Sequence, residues 1–472
     1  MKLLTKKANA DYTKGPLYIP YLSLAMSLFI SNLVQRLYNV ADQAIIGRFS
    51  GDVNALAAIG RTSVLNTLLI NTILGLSVGV IITFSRALGN KDNERASKIM
   101  HTSILFGLVV SAVLATVGFF VSRPVLLALG TKPEHIDLAT VYIKIIFLGL
   151  PAHVVFAFAE GILRAKGKNA VATTISVVSG VMNVVLNIIF VVCFHMSVAG
   201  VALATVISQV FTSITALILL YRDKTQTAFR VRQLKIDGSS LRDVLTVGVP
   251  NSLQLLVYSV GGIFISATQN TLPLDVLNAS AAAGGSSGLL SPIASSFGVS
   301  AVSVLVAQNY GAKNYRRIKR VMRNAMLTML GIFSVIIPLF MIFSKNILSL
   351  FLDPAVENYT TLLAYAAPLL ILQPIEHFIS GFVNVYTSTA RAIGHSASPL
   401  LTSIIVHVGF SIPWCLFIFR LFESPIAFFF LGICLQSLNL IFNFILTSRH
   451  LRKMKKKFEA ESSDVPMTAT VA

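Results

Sequence analysis

The sequence predicts an all-α membrane protein of about twelve transmembrane helices arranged as two pseudo-symmetric six-helix lobes. Three observations predict it: composition, the length of the apolar runs, and the placement of positive charge. Of 472 residues, 55% are hydrophobic and 12% charged, against roughly 25% charged in a soluble domain. The apolar runs reach the roughly 20 residues that a helix needs to cross a bilayer. Runs this long without period-2 alternation are helices, because lipid admits only helices and closed barrels.

The predicted spans, in order, are 17–47, 55–84, 101–129, 138–164, 169–194, 198–221, 243–270, 281–310, 324–352, 359–390, 397–420 and 425–448. A net charge of +19 would suit a nucleic-acid partner, but position excludes that reading. Most Lys and Arg fall before the first span, in every second connection, and in the tail: Lys2, Lys6, Lys7 and Lys14; Arg86 to Lys98; Arg164 to Lys168; Arg222 to Arg242; Lys313 to Arg323; Arg391; and Arg449 to Lys457. Cytoplasmic loops retain Lys and Arg, so both termini and the even connections are expected in the cytoplasm of a cell whose inner or plasma membrane holds the chain. The first helix is expected to serve as an uncleaved signal.

Domain expectations follow from the charge. Residues 1–16 are a cytoplasmic segment, 17–221 an N-lobe, 222–242 a basic cytoplasmic linker, and 243–448 a C-lobe. Residues 449–472 are expected to be a basic, then disordered, tail. The halves look related. ALGNKD after span 2 echoes the stretch around Gly311 after span 8, and LRAKGK after span 4 echoes TARAIGH after span 10. Six spans per half give both halves the same membrane sense. That is the parallel repeat of alternating-access carriers, with the substrate path expected between the halves.

Polar residues within spans are costly against lipid and so face the bundle or a water-filled cavity. Span 1 carries Ser31, Asn32, Gln35, Asn39 and Asp42 on one helical face, span 5 carries Ser176, Ser179, Asn183 and Asn187, and span 6 carries Thr205, Ser208, Gln209 and Thr212. In the second half, span 7 has Asn251, Gln254 and Tyr258, and span 10 has Gln373, His377, Asn384 and Ser388. Such stripes form interhelical hydrogen bonds or line a hydrated cavity. Their extent favours the cavity, with Gln35, Asn39, Gln209, Gln254, Tyr258, Gln373, His377 and Asn384 as candidate lining.

Asp42 is the sharpest residue. An intramembrane carboxylate is functional by default; it can carry a proton or, with Asn183, Asn187 and Thr205, offer oxygen to sodium, which is the only metal role it would have. The structural alternative is an ion pair with Arg36 or Arg48. Arg36 lies about 120° round the helix, and Arg48 belongs near the outer surface. Glu160 and Arg164, at i and i+4, read as a surface-proximal pair. Glu376 and His377 are adjacent and point about 100° apart. The three cysteines lack metal or redox spacing and read as small core residues. No Walker loop, HExxH or GxSxG is present, so an enzyme is disfavoured.

The run NLVQRLYNVADQAIIGRF in span 1, with ALAAIG, ALGNKD, LRAKGK, NVVLN and VGVPNSLQ, resembles the multidrug and toxic compound extrusion (MATE) family across nearly the whole chain. The resemblance implies a V-shaped, two-lobed fold, no cofactor, a monomer, and export of small organic compounds in exchange for protons or sodium ions. It also implies a coupling-ion pocket at the matching Asp42, Asn183, Asn187 and Thr205. Many relatives have aspartate where Asn187 stands, and the loss of that charge favours protons. A lipid-linked oligosaccharide or precursor flippase of the same superfamily is the alternative. It would need a basic cavity for pyrophosphate, and the spans offer only Arg36 and Lys144.

Overall fold

The computed structural model describes residues 11–52, 54–288, 290–349, 352, 358–419 and 425–463. The expectations for residues 1–10 and 464–472 lie outside the described residues. Among those described, every long element is a helix. In order they are α1 (Tyr18–Phe49), α2 (Ala55–Arg61), α3 (Ser63–Gly89), α4 (Asn93–Ala128), α5 (Pro133–Ala165), α6 (Asn169–Cys193), α7 (Ser197–Tyr221), α8 (Gly238–Gln269), α9 (Leu274–Ser287), α10 (Leu290–Gly311), α11 (Tyr315–Ile342), α12 (Ser344–Leu348), α13 (Tyr359–Ala392), α14 (Ala397–Phe417) and α15 (Pro425–Ser463). Eleven are long and apolar enough to cross a membrane, and α1 is not one of them. At 32 residues α1 has the length, but its polar face and two arginines dilute it. The chain is a multi-pass membrane protein.

The described residues pack as two compact units, one of residues 26–252 with Asp11, the other of residues 12–25 and 253 onward. This division by packing differs from the division by charge at 222–242. In the second unit Arg317 donates to the carbonyls of Tyr12, Lys14 and Gly15, and Tyr21 donates to the carbonyl of Phe297 at 3.0 Å. Within the first unit Asn251 donates to Gly75 O at 3.4 Å and Ser252 to Thr72 O at 3.0 Å, which ties the start of α8 to α3.

The repeat is visible in the backbone. Lys91 and Lys313 both take a left-handed conformation, with φ of 58° and 53°, which is rare for a residue with a side chain. Each is followed by a helix cap: Asp92 accepts from Arg95 N at 2.9 Å, and Asn314 from Arg317 N at 3.2 Å. Gly167 and Gly394 pair in the same way, with φ of 78° and 100°, where glycine escapes the Cβ penalty. Both echoes in the sequence are therefore turns of one shape.

Three expectations need correction. The predicted span 281–310 straddles α9 and α10, because the Ala-Gly-Ser run around residue 288 has poor helix propensity. The part of the tail expected to be disordered begins as helix: α15 runs to Ser463, with Lys455–Glu459 at 3.3 Å and Lys313–Glu461 at 2.5 Å bracing it. Cys415 is buried, but Cys193 is exposed and is no core residue.

The connection from α7 to α8 is fastened to the first unit. Lys166, fully buried, donates to Asp223 at 2.9 Å and to the carbonyl of Thr227, and Lys168 approaches Asp223 at 3.2 Å. Burial pushes the Lys166 ammonium down to about 8, with Asp223 pulling the other way. Burial works against the Asp223 carboxylate too, but the two lysines outweigh it and hold it below its usual range. Farther on, Phe229 stacks on His101 at 5.4 Å, and Arg95 meets Asp243 at 2.5 Å.

Candidate functional site

The polar stripe of α6 meets a different neighbour at each turn. Thr173 donates to Ser27 O at 2.9 Å on α1, Ser176 to Glu160 at 3.2 Å on α5, and Ser179 to Ser208 O at 3.3 Å on α7. Next, Asn183 Nδ2 donates to Thr205 Oγ1 at 3.4 Å. Finally Asn187 Nδ2 donates to Asp42 Oδ1 and, at 3.3 Å, to Asn183 Oδ1. The stripe thus belongs largely to interhelical bonding, which corrects the expectation of a cavity wall along its whole length. Close approach of α1 is possible because position 180 is glycine: a Cβ there would fall 2.9 Å from Val34.

The four residues predicted for the coupling site, Asp42, Asn183, Asn187 and Thr205, are therefore one connected group. Asn183 and Asn187 are buried, and Asp42 and Thr205 half-buried. The i, i+4 spacing puts both amides on one face of α6. Immediately beyond Asn187 the helix widens into a π stretch, Ile188–Cys193, a feature that concentrates at functional sites. Thr205 points back to its own helix, donating to Val201 O at 3.0 Å. The Asn187 amide oxygen is buried with no hydrogen-bond partner among the described residues, a costly condition in a low-dielectric site. Neither Arg36 nor Arg48 forms an ion pair with Asp42; both are exposed, and the described salt bridges do not include that carboxylate. Gln35 and Asn39 are exposed and Gln209 half-buried, and no described bond joins any of them to the group.

Sequence reasoning placed Glu160 and Arg164 near a surface. They form instead a buried junction. Arg164, 4% exposed, pairs with Glu160 at 2.6 Å and donates to Ser27 and Ser31 of α1, both at 2.9 Å. The arginine reads as a surface group only because the serines that receive it lie more than a hundred residues away in the sequence.

In the second unit Gln254 is the hub. It donates to Tyr258 at 2.8 Å and to Ser403 at 2.9 Å, and it accepts from Arg391 at 3.1 Å. Tyr258 also meets the His407 ring edge-on at 4.5 Å. The Nε2 atom of His407 is buried without a described partner. His377, Asn384 and Glu376 line one polar cavity of about 130 Å³ with Gln436 and Ser380. Adjacent positions on α13 thus reach one space despite the angle between them. Gln373 closes the turn, its carbonyl 2.9 Å from His377 Nδ1. No group of three or more His, Cys, Asp or Glu side chains suited to a metal exists among the described residues.

A half-buried carboxylate joined to buried amides across α1, α6 and α7, repeated half-structures and a helical membrane frame can be compared with known proteins. A family model described as MatE matches residues 27–189 and 250–417, one stretch in each half. The chain belongs to the MatE family. As a MatE member it is a transporter and not an enzyme. The probable multidrug resistance protein YoeA of Bacillus subtilis (strain 168) is 29% identical over 409 residues, covering 84% of this MatE chain and 86% of that protein. The multidrug export protein MepA of Staphylococcus aureus (strain MRSA252) is 24% identical over 257 residues, 54% of this chain and 56% of that one. Among solved structures, a MATE protein in complex with MaD3S superposes with a TM-score of 0.86 at 21% identity, covering 96% of this chain and all of that one. An outward-facing multidrug resistance MATE transporter gives 0.85 at 21%, with the same coverage. These likenesses show the MATE fold.

Proposed function

We propose that the chain is a secondary antiporter that exports organic compounds, amphipathic cations foremost, in exchange for protons, with sodium ions the less favoured coupling ion. It would act as a monomer in the inner or plasma membrane with both termini in the cytoplasm. The names of the relatives, a multidrug resistance protein and a multidrug export protein, support the export reading. The observation that carries the coupling is Asp42 held by an amide, with no cation in reach among the described residues.

An ionised carboxylate only accepts hydrogen bonds, while a protonated one also donates. In the present arrangement Asn187 gives its N–H to Asp42 and keeps its oxygen unpartnered. Protonation of Asp42 supplies the donor that this oxygen lacks, after a half-turn of the amide. Proton uptake therefore reverses the direction of the bond between α1 and α6, a local change that an alternating carrier can read as two states. Each charge moved across the field adds roughly 2.3 kcal/mol per 100 mV. A single carboxylate with amide and hydroxyl oxygens supplies little negative charge to a bound cation, which favours the proton.

Accumulation of a fluorescent cationic dye in everted vesicles, where cellular efflux runs from the medium into the lumen, tests this reading with proton and sodium gradients imposed separately. Asp42→Asn should abolish proton-driven efflux. Full efflux in that variant would overturn the coupling role, and efflux driven by sodium alone would exchange the ion.

A further inference from the structure

The amino-terminal end of α11 borders a groove of about 670 Å³ within the second unit, shared with α13 and α15. Arg316, Lys319, Arg320 and Arg323 line it, all exposed, at i, i+3, i+4 and i+7 on one helical face. None forms an ion pair with a carboxylate among the described residues. Below them the wall turns apolar: Met322, Met326 and Phe444 line it, and Phe444 packs edge-on against Tyr386 at 5.5 Å. From Asn324 to Ile342 the helix carries no charged side chain, so the cations mark the level where α11 enters the bilayer.

The repeat supplies an internal control. Through the matched turns at Lys91 and Lys313, Glu94 of α4 corresponds to Arg316, Lys98 to Arg320, and His101 to Arg323. In the first half the one cation at a matching position is answered: Lys98 meets Glu94 at 2.6 Å. The second half has replaced the acid by a cation and left the band unneutralised beside an apolar groove.

We propose that this groove binds an anionic phospholipid, the phosphate held by Arg316, Lys319, Arg320 and Arg323 and an acyl chain lying against Met326 and Phe444. Charge complementarity selects the headgroup, and the polar-to-apolar gradient at the membrane boundary selects a lipid over a soluble phosphate. The proposal is independent of what the chain transports.

Native mass spectrometry of the purified full chain tests it, with dioleoylphosphatidylglycerol, dioleoylphosphatidylcholine and inorganic phosphate as probes. The phosphatidylglycerol should be retained over the phosphatidylcholine. Arg320→Gln/Arg323→Gln should weaken retention about fivefold for each cation removed. Arg452→Gln/Lys456→Gln, which removes the same charge from the exposed tail helix, should leave it unchanged. Equal retention of the two lipids, an equal loss in the tail variant, or displacement of the lipid by millimolar inorganic phosphate would each overturn the assignment.

Discussion

Arg164 and Arg391 occupy the same position in the two halves, three residues before a left-handed glycine, and both are buried. Their surroundings differ. Arg164 answers a carboxylate, Glu160, and two serines of α1. The position matching Glu160 in the second half is Thr387, and Arg391 donates to the amide oxygen of Gln254 on α8. A single scaffold thus holds its first helix with an ionic junction in one half and its counterpart, α8, with a neutral amide in the other. The half with the ionic junction also holds Asp42. Ionic chemistry is concentrated where the proposed proton carrier sits.

The largest expected effect sharpens this asymmetry. Asp42→Asn should reduce proton-driven dye efflux to background, while Glu376→Gln, in the polar cavity of the second unit, should leave most of it. Equal losses would break the comparison by making both halves carriers. Next in size, Arg164→Met leaves Glu160 without its cation, and stability in a denaturant titration of the micellar protein should fall by about 3–5 kcal/mol. Asp223→Asn should cost about 3 kcal/mol near neutral pH for the same reason. Its penalty has a direction with pH. The Lys166 ammonium, at about 8 when folded, lies below its unfolded value, so the unfolded chain binds more protons above pH 8 and stability rises with pH. With Asp223 neutral the proton leaves more readily still, and the penalty should shrink as titrations move from pH 7 to pH 10. Arg391→Met should cost less, about 1–3 kcal/mol, since its bond to Gln254 ends on a neutral amide oxygen rather than a carboxylate. A cost equal to that of Arg164→Met would erase the distinction between the halves. The smallest effect belongs to Gln35→Ala and Asn39→Ala, exposed on α1, each within about 0.5 kcal/mol in stability.

The helices and the shared face of Asn183 and Asn187 were legible because each rests on local pattern. Hydropathy marks a span, and i, i+4 spacing puts Asn183 and Asn187 on one face. The repeat was legible too, since Gly167 and Gly394 are demanded by backbone geometry that no neighbour can supply. What each face would meet was not legible. Ser27 and Ser31 look like ordinary small polar residues until Arg164 arrives from another helix, and the α6 stripe looks like a cavity wall until α1, α5 and α7 close on it. The boundary between α9 and α10 was not legible from hydropathy, which does not register the low helix propensity of Gly and Ser.

The π stretch that follows Asn187 has a consequence for the direction in which later side chains point. A regular helix would cover the rise from Asn187 to Cys193 with one residue fewer. The extra residue turns the side chains beyond Asn187 to a different face from the one a continuous α-helix would give them, so the polar stripe that ends at Asn187 cannot simply be extended by i, i+4 counting into residues 188–193.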